Sequence, residues 1–504
     1  MYILSSDQMN RMDAYTMANE PILSIDLMER AALACTHWIE RNLSNQNTII
    51  AFCGPGNNGG DGLAIVRILL QKGWNASAIL LKSKDSISPD CKTNLDRLAN
   101  SFPDRINIIT KANQLPRLNG YPIIIDAIFG TGFKGVTQGL EADAIAQINQ
   151  SGAEVISIDT PSGLCSNKTS FINDNKIVIP KNTLTFQFLK PALIVPENMP
   201  KTGKVHVLDI GLMESGLNTD DKKSELVDLL LLNKFIKNRA LEGHKGMFGH
   251  AVLMAGGPGK AGAGLLSGNA CLRSGCGLLS MVVPHGENSI FQTGLPMAMT
   301  IQYNEHSTPL CIPDKTTAVA IGPGIGTSSD TQSIVSNLLN MWRKPAILDA
   351  DAINLISQNP MLKALVPAGS LLTPHVGEFD RLVGASNNDF DRWEKQINLS
   401  KETGWYILLK GAFSKITTPE GHTYVNPTGN SGMAKGGSGD VLTGLLVGLN
   451  ARGYSIEESA ILGAYLHGLS GDLAALDLGQ EAMHAGDLVD YIPKAWNSLL
   501  SESV

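Results

Sequence analysis

Two glycine-rich runs, each set where a helical pattern begins, constrain this chain more than any other feature. Gly54-Pro55-Gly56-Asn57-Asn58-Gly59-Gly60-Asp61-Gly62 follows an apolar run, Thr48 to Cys53, and opens a helical stretch from Leu63 to Gln71. Lys435-Gly436-Gly437-Ser438-Gly439-Asp440 leads into a helical pattern from Val441 to Leu449. A glycine loop at a helix start offers backbone N–H groups and the positive end of the helix dipole to an anion. Both runs are therefore expected to hold phosphate-bearing ligands.

Short apolar runs alternate with helical stretches along the whole chain, the rhythm of βαβ units around a mostly parallel sheet. Strands are predicted over Thr48 to Cys53, Ala76 to Leu81, Pro122 to Asp126, Glu154 to Asp159 and Lys204 to Ile210. A second series runs His250 to Ala255, Ala318 to Ile321, Ala346 to Asp349, Leu371 to Thr373 and Tyr406 to Lys410. Gly211 to Lys223, rich in Gly, Ser, Asn and Asp, separates the series, giving domains at 1–215 and 225–504. At 504 residues, two or three domains are the starting expectation. A net charge of −7 without clustered Lys and Arg argues against nucleic acid. Seven cysteines without framework spacing read as free thiols, and Cys271 and Cys276 lack the companions of a zinc site. The N-terminus carries no secretory pattern and no apolar run spans a bilayer, so a cytoplasmic protein without membrane partners is expected.

The first glycine run contains G-x-G-x-x-G, a weak signal by itself. A redox dinucleotide fold would close its next strand with an acid for the ribose. That strand ends Leu81-Lys82-Ser83-Lys84, which disfavours a Rossmann dehydrogenase. A turn capped by Asn and Asp is the bland alternative, and the Asn57-Asn58 pair supplies more polar groups than a turn needs. Asp126-Ala127-Ile128-Phe129-Gly130-Thr131-Gly132 and Asp159-Thr160-Pro161-Ser162-Gly163-Leu164 each set an Asp at a strand end before a glycine loop. Such an Asp alone is commonly a cap, but three loops would converge on one sheet edge.

These motifs, with Leu27-Met28-Glu29-Arg30-Ala31-Ala32, resemble the NAD(P)H-hydrate epimerase domain, the YjeF N-terminal family, over about the first 215 residues. The resemblance implies a Rossmann-like three-layer α/β/α domain. It implies that Asn57, Asn58, Gly59, Gly60 and Asp61, with Gly130, Thr131, Gly132, Phe133, Lys134, Gly135 and Val136, bind the substrate's phosphates. Asn58, Asp126 and Ser162 would surround a potassium ion, and Asp159 would be the acid/base at the hydrated ring. Cys165 departs from the acidic residue or Asn that often follows Pro-Ser-Gly-Leu, which leaves position 165 without an assigned role.

In the second run, Asp440 reads either as a helix cap or as a base. A carboxylate repels a phosphate ligand, so its presence beside the loop favours a base that takes a hydroxyl proton. No Walker A loop occurs. The run is similar to the Gly-Ala-Gly-Asp anion hole of ribokinase-like proteins, with Ser438 in place of Ala. Gly256-Gly257-Pro258-Gly259-Lys260-Ala261-Gly262-Ala263, Gly322-Pro323-Gly324-Ile325-Gly326, Leu348-Asp349-Ala350-Asp351-Ala352, Thr373-Pro374-His375-Val376-Gly377-Glu378-Phe379 and Leu409-Lys410-Gly411 resemble the NAD(P)HX dehydratase, the YjeF C-terminal family, over about residues 240–490. The resemblance implies a ribokinase-like α/β domain in which Ala263, Gly324 and His375 contact the hydrated cofactor. Lys410, Gly411, Ala412, Phe413, Ser414 and Gly439 would hold an adenine nucleotide, with Asp440 as the base. His375 could instead only cap a helix, and Asp349 and Asp351 read equally as partners of a hydrated Mg2+ or as caps.

The implied function is repair of NADHX and NADPHX with ADP, favoured over ATP, as co-substrate, in a homo-oligomer. Two rivals stand: a ribokinase-like small-molecule kinase in the second half, and an N-terminal half that only binds the hydrate. A released phosphorylated product would mark the first, and failure of residues 1–215 to racemise one epimer the second.

Overall fold

The computed structural model describes residues 1–82, 86–166, 176–304 and 310–501, so Ser83 and Lys84 lie outside it. The chain forms two compact units, Met1–Lys222 with Asn388–Phe390, and Lys223–Asn387 with Asp391–Val504.

Among the described residues the first unit holds a seven-stranded sheet: β1 (Ile49–Cys53), β2 (Ala76–Leu81), β3 (Ile106–Ile109), β4 (Ile123–Ala127), β5 (Glu154–Ile158), β6 (Asn182–Phe186) and β7 (Lys204–Leu208). The order is β3-β2-β1-β4-β5-β6-β7, with every neighbouring pair parallel. β1 is apolar throughout because both its faces are covered. Ile49, Ala51 and Cys53 pack with the helices Ser24–Asn42 and Asn57–Gln71, while Ile50 and Phe52 join Ala144 and Ile145 of the helix Gly139–Gln150. Helices on both faces make this a three-layer α/β/α unit. Strand order reverses between β1 and β4, where open α/β sheets bind ligands at the carboxyl ends of their strands.

Among the described residues the second unit holds a ten-stranded sheet: β8 (Ser224–Leu226), β9 (His250–Met254), β10 (Leu278–Pro284), β11 (Met299–Tyr303), β12 (Ala318–Ile321), β13 (Ile347–Leu348), β14 (Leu371–Leu372), β15 (Tyr406–Leu409), β16 (Lys415–Thr417) and β17 (Thr423–Val425). The order is β11-β10-β9-β12-β13-β14-β15-β16-β17-β8, antiparallel only at β15·β16 and β16·β17. Ala251 and Leu253 face the helices Ser438–Ala451 and Ile456–Leu478; Val252 and Met254 face Ser329–Trp342. Here the order reverses between β9 and β12.

The predicted strands all appear, Ala76–Leu81 and Ala318–Ile321 with the expected bounds, Pro122 to Asp126 shifted to Ile123–Ala127, and the others trimmed by one or two residues. Glu154 to Asp159 stops at Ile158, because Asp159 takes φ +66° and leaves the extended region. The second glycine run is not wholly loop: its helix begins at Ser438, which puts Gly439 and Asp440 in the first turn. No helix among the described residues is long and apolar enough to cross a membrane.

Leu253 is fully buried in the middle of the second sheet. Leu253→Ala should cost about 2–5 kcal/mol, read as a lower urea midpoint for the second unit's transition. An unchanged midpoint would contradict this placement.

Candidate active sites

In the first unit the loops after β1, β4 and β5 meet at the switch point. A Cβ on Gly54 would lie 2.0 Å from the Ile128 carbonyl oxygen, and one on Gly59 1.7 Å from that of Gly54. Only glycine allows this approach, which starts the helix Asn57–Gln71 against the strand ends. Met28 fills the space beneath, its Sδ 2.7 Å from where a Cβ of Gly60 would stand. Glu29, on the helix Ser24–Asn42 that also carries Met28, pairs with Arg67 and Arg97 at 2.5 and 2.8 Å. The Leu27 to Ala32 motif thus supports the loop from below.

A cleft of about 970 Å³ opens there, and Asp13, Asn58, Asp61, Phe133 and Asp159 all face it. Of the predicted residues, 57, 58, 61, 130–134, 136 and Asp159 line the cleft, whereas Asp126 and Ser162 lie buried behind it. Asp159 is held at both oxygens. Oδ1 stands 3.0 Å from the ammonium of Lys190, and Oδ2 accepts the Thr131 N–H at 2.7 Å. Lys190 is fully buried and also donates to Thr185 Oγ1 and the Phe186 carbonyl. The contact between the Lys190 ammonium and Asp159 is charge-assisted.

Three further acids line the cleft, Asp13, Asp61 and Glu141. Burial, with Asp159 adding repulsion and Lys190 relief, pushes the carboxyl of Asp13 up to about 6. Burial pushes Asp61 well above the usual carboxylate range, reinforced by Asp159, Asp13 and Asp90. Asp126 is fully buried, and burial raises it while hydrogen bonds from Ser162, Ser157 and the Ile128 N–H oppose the rise. Ser162 Oγ bonds Asp126 and also accepts the Phe129 N–H at 2.8 Å. Asn58 donates to the Ile158 carbonyl at 3.2 Å, while its buried Oδ1 has no hydrogen-bond partner.

In the second unit the loops after β9, β12, β13, β14 and β15 converge on the start of the helix Ser438–Ala451. Asp349, almost wholly buried, takes Lys410 Nζ at 2.7 Å and Thr443 Oγ1 at 2.6 Å. Its side chain does not cap the helix Ala350–Gln358, so the capping reading of Asp349 is corrected: the carboxylate serves Lys410 and Thr443 instead. Asp351 accepts the Gly326 N–H at 2.8 Å and faces Lys260 at 3.4 Å. A Cβ on Gly439 would stand 3.3 Å from Lys410 Nζ, which brings the glycine loop, the lysine and Asp440 together. Burial pushes Asp440 up to about 6; Asp349 and Asp351 add to the rise and Lys410 opposes it.

His375 is a cap: its Nδ1 accepts the Gly377 and Glu378 N–H groups at 3.0 and 3.3 Å, with Glu378 returning a bond to its N–H. It also bridges to Lys410 in parallel, so the cap and the lysine are adjacent. Ala263 and Gly324 touch, a Cβ on Gly324 falling 3.0 Å from that of Ala263. The segment from Gly411 to Ser414 is a turn closed by Ser414 Oγ on the Gly411 carbonyl, with Phe413 at φ +52°. The sites also hold Asp13, Lys190, Thr443 and His467, which no sequence motif singles out. His467 Nε2 lies 2.9 Å from the Ser438 carbonyl, and burial lowers its pKa to about 4. It therefore supports the loop as a neutral donor.

Residues 251–494 match a family model described as NAD(P)H-hydrate dehydratase, and residues 24–192 one described as YjeF-related protein N-terminus. The chain is 36% identical to the bifunctional NAD(P)H-hydrate repair enzyme Nnr of Moorella thermoacetica, covering all of this chain and 98% of that one. It is 30% identical to the enzyme of the same description from Thermofilum pendens, over 94% of this chain and 92% of that one. A crystal structure of the ADP/ATP-dependent NAD(P)H-hydrate dehydratase of Bacillus subtilis with ATP and Mg2+ is 29% identical, with TM-score 0.49, over 55% of this chain and 98% of that one.

Lys190→Met would leave Asp159 buried without its counter-charge. Removing one partner of a buried pair costs about 3–5 kcal/mol, so the first unit should melt at lower temperature. An unshifted melting point would show that Lys190 does not balance Asp159.

Proposed function

The chain belongs to the bifunctional NAD(P)H-hydrate repair enzymes, and on that premise we propose that its first unit interconverts the R and S hydrates of NADH and NADPH while its second dehydrates the S form. The dehydration consumes ADP and gives AMP and phosphate. Residues 1–215 are assigned the epimerase and 225–504 the dehydratase. The observation that carries the reading is Asp440, half-buried in the first turn of the glycine-loop helix and beside the Lys410·Asp349 pair.

In the epimerase pocket the N–H groups and amides of 57–61 and 130–136 receive the substrate's phosphates. Asp159 moves a proton at the ring hydroxyl, whose departure the ring nitrogen's lone pair assists. A potassium ion fits Asn58, Asp126 and Ser162: the Asn58 Oδ1 is buried without a partner, and the buried Asp126 carboxylate takes hydrogen bonds from neutral donors only. Bound there, the ion would supply positive charge beside the phosphate loop.

In the dehydratase pocket Lys410, Gly411, Ala412, Phe413, Ser414 and Gly439 hold the adenine nucleotide, and Ala263, Gly324 and His375 the hydrate. Asp440 takes the hydroxyl proton as that oxygen bonds to the nucleotide's terminal phosphorus and the bond from phosphorus to AMP breaks. The ring nitrogen then expels phosphate, and loss of a neighbouring ring proton restores the dihydropyridine. Hydroxide leaves poorly and phosphate well, which is why a nucleotide is consumed. Mg2+ would neutralise the nucleotide's phosphates. Asp349 and Asp351 suit contact through its waters, since their oxygens already bond Lys410, Thr443, Lys260 and the Gly326 amide.

Purified protein, hydrated NADH and ADP should regenerate the dihydronicotinamide absorbance, with ATP serving less well. An accumulating phosphorylated hydrate would instead mark a kinase, the reading that the relatives do not favour. Asp440→Asn should abolish recovery and leave epimer exchange intact, and Asp159→Asn should do the reverse.

The base works ionised, and burial holds Asp440 near 6. Dehydration should therefore fall as pH drops through about 6, each further unit removing about tenfold of the ionised form. A rate flat from pH 7.5 to about 5 would exclude Asp440 as the base.

A further inference from the structure

Inversion at the hydrated carbon needs a proton delivered to the departing hydroxyl on one face of the ring and a proton removed from water arriving on the other. Asp159 is poorly placed for both. Its two oxygens are pinned by Lys190 at 3.0 Å and the Thr131 N–H at 2.7 Å, and its backbone is fixed at φ +66°. A carboxylate held in this way addresses one side of a ligand.

The same cleft carries other carboxyls. Asp61 belongs to the phosphate loop, and Glu141 is buried at the start of the helix Gly139–Gln150. Asp13 differs from both. It reaches the cleft from the helix Ser6–Asn19, it is half-buried, and among the described residues nothing hydrogen-bonds its carboxyl. The charged groups that act on it are Asp159 from the end of β5, Asp61 from the glycine loop, and Lys190. It is thus a carboxyl open to the ligand space, from an element other than the one that carries Asp159.

We infer that Asp13 is the second proton-transfer residue of the epimerase pocket, working with Asp159 on opposite faces of the hydrated nicotinamide ring. In one direction the Asp13 carboxylic acid gives its proton to the hydroxyl as the carbon–oxygen bond breaks, water leaves, and the nitrogen lone pair forms a carbon–nitrogen double bond. Water then adds to the opposite face, the double-bond pair returns to nitrogen, and Asp159 takes the proton released. In the reverse direction the two carboxyls exchange roles, as reversibility requires. Burial keeps Asp13 near 6, which lets its carboxyl give or take a proton near neutral pH, while Asp159 stands ion-paired with Lys190.

This inference rests on the epimerase reading of the first unit. The test uses the full-length protein and one isolated epimer without nucleotide, following its conversion to the other by chromatography across pH. Asp13→Asn should slow exchange about 10²-fold or more, chiefly in kcat, and lose one limb of the pH profile. Asp13→Glu should restore exchange to within about tenfold while moving that limb. ADP-driven dehydration of the S epimer by the same variants, with an unchanged melting profile, shows that each is folded; if Asp13→Asn does not fold, the moved limb in Asp13→Glu carries the test. Wild-type exchange no faster than in buffer would sink the epimerase reading. Wild-type exchange with Asp13→Asn matching its rate and profile, or with Asp13→Glu leaving both limbs in place, would overturn the role of Asp13.

Discussion

In each unit a lysine forms an ion pair with one strand-end aspartate, and the reactive groups gather around that pair. In the first unit Lys190 meets Asp159 at 3.0 Å; in the second Lys410 meets Asp349 at 2.7 Å. Carboxylates crowded at the switch point of a parallel sheet repel one another, and one ammonium cannot balance them all. The paired acid is held by its lysine, while a second acid nearby is raised chiefly by its own burial, with repulsion from the first adding to the rise. Asp13 and Asp440 occupy that second position, each raised to about 6. Two unrelated sheet orders thus arrive at one arrangement, in which an ion-paired acid stands beside a second acid raised by burial.

Glycine makes the arrangement possible by letting backbones meet where side chains would collide. The approach of Gly59 to Gly54 sets a helix start on the strand ends in the first unit. In the second, a Cβ on Gly322 would lie 1.8 Å from the Asp349 carbonyl oxygen, so the loops after β12 and β13 close only because position 322 is bare. The polar groups then project from a rigid edge, which keeps proton-transfer groups in place between turnovers.

The central strands were legible because burial on both faces makes them continuous apolar runs, as in Ile49–Cys53 and His250–Met254. The same rule would have found Leu278–Pro284, interrupted only by Ser280, whose hydroxyl meets His250 Nε2 at 2.9 Å. Edge strands such as Ile106–Ile109 and Met299–Tyr303 are half exposed and carry no such signature. The glycine loops and their acids could be read because backbone conformation and ligand chemistry leave composition marks. Lys190 had a faint mark as the lone cation in the apolar stretch from Phe188 to Val195. Asp13, Thr443 and His467 had none, since each lies on a helix of ordinary pattern and acquires its role only through tertiary contact.

The left-handed backbone of Asp159 alters how substitutions there are to be interpreted. That region costs most residues energy, and Asn and Asp tolerate it better than any others with a side chain. A branched or bulky replacement would distort the turn after β5 and with it the Thr131 amide, whatever its polarity. In a saturation screen nearly every substitution at 159 would score as inactive for conformational reasons, and only the amide would isolate the missing charge. Intolerance at this position therefore measures geometry first and reactivity second.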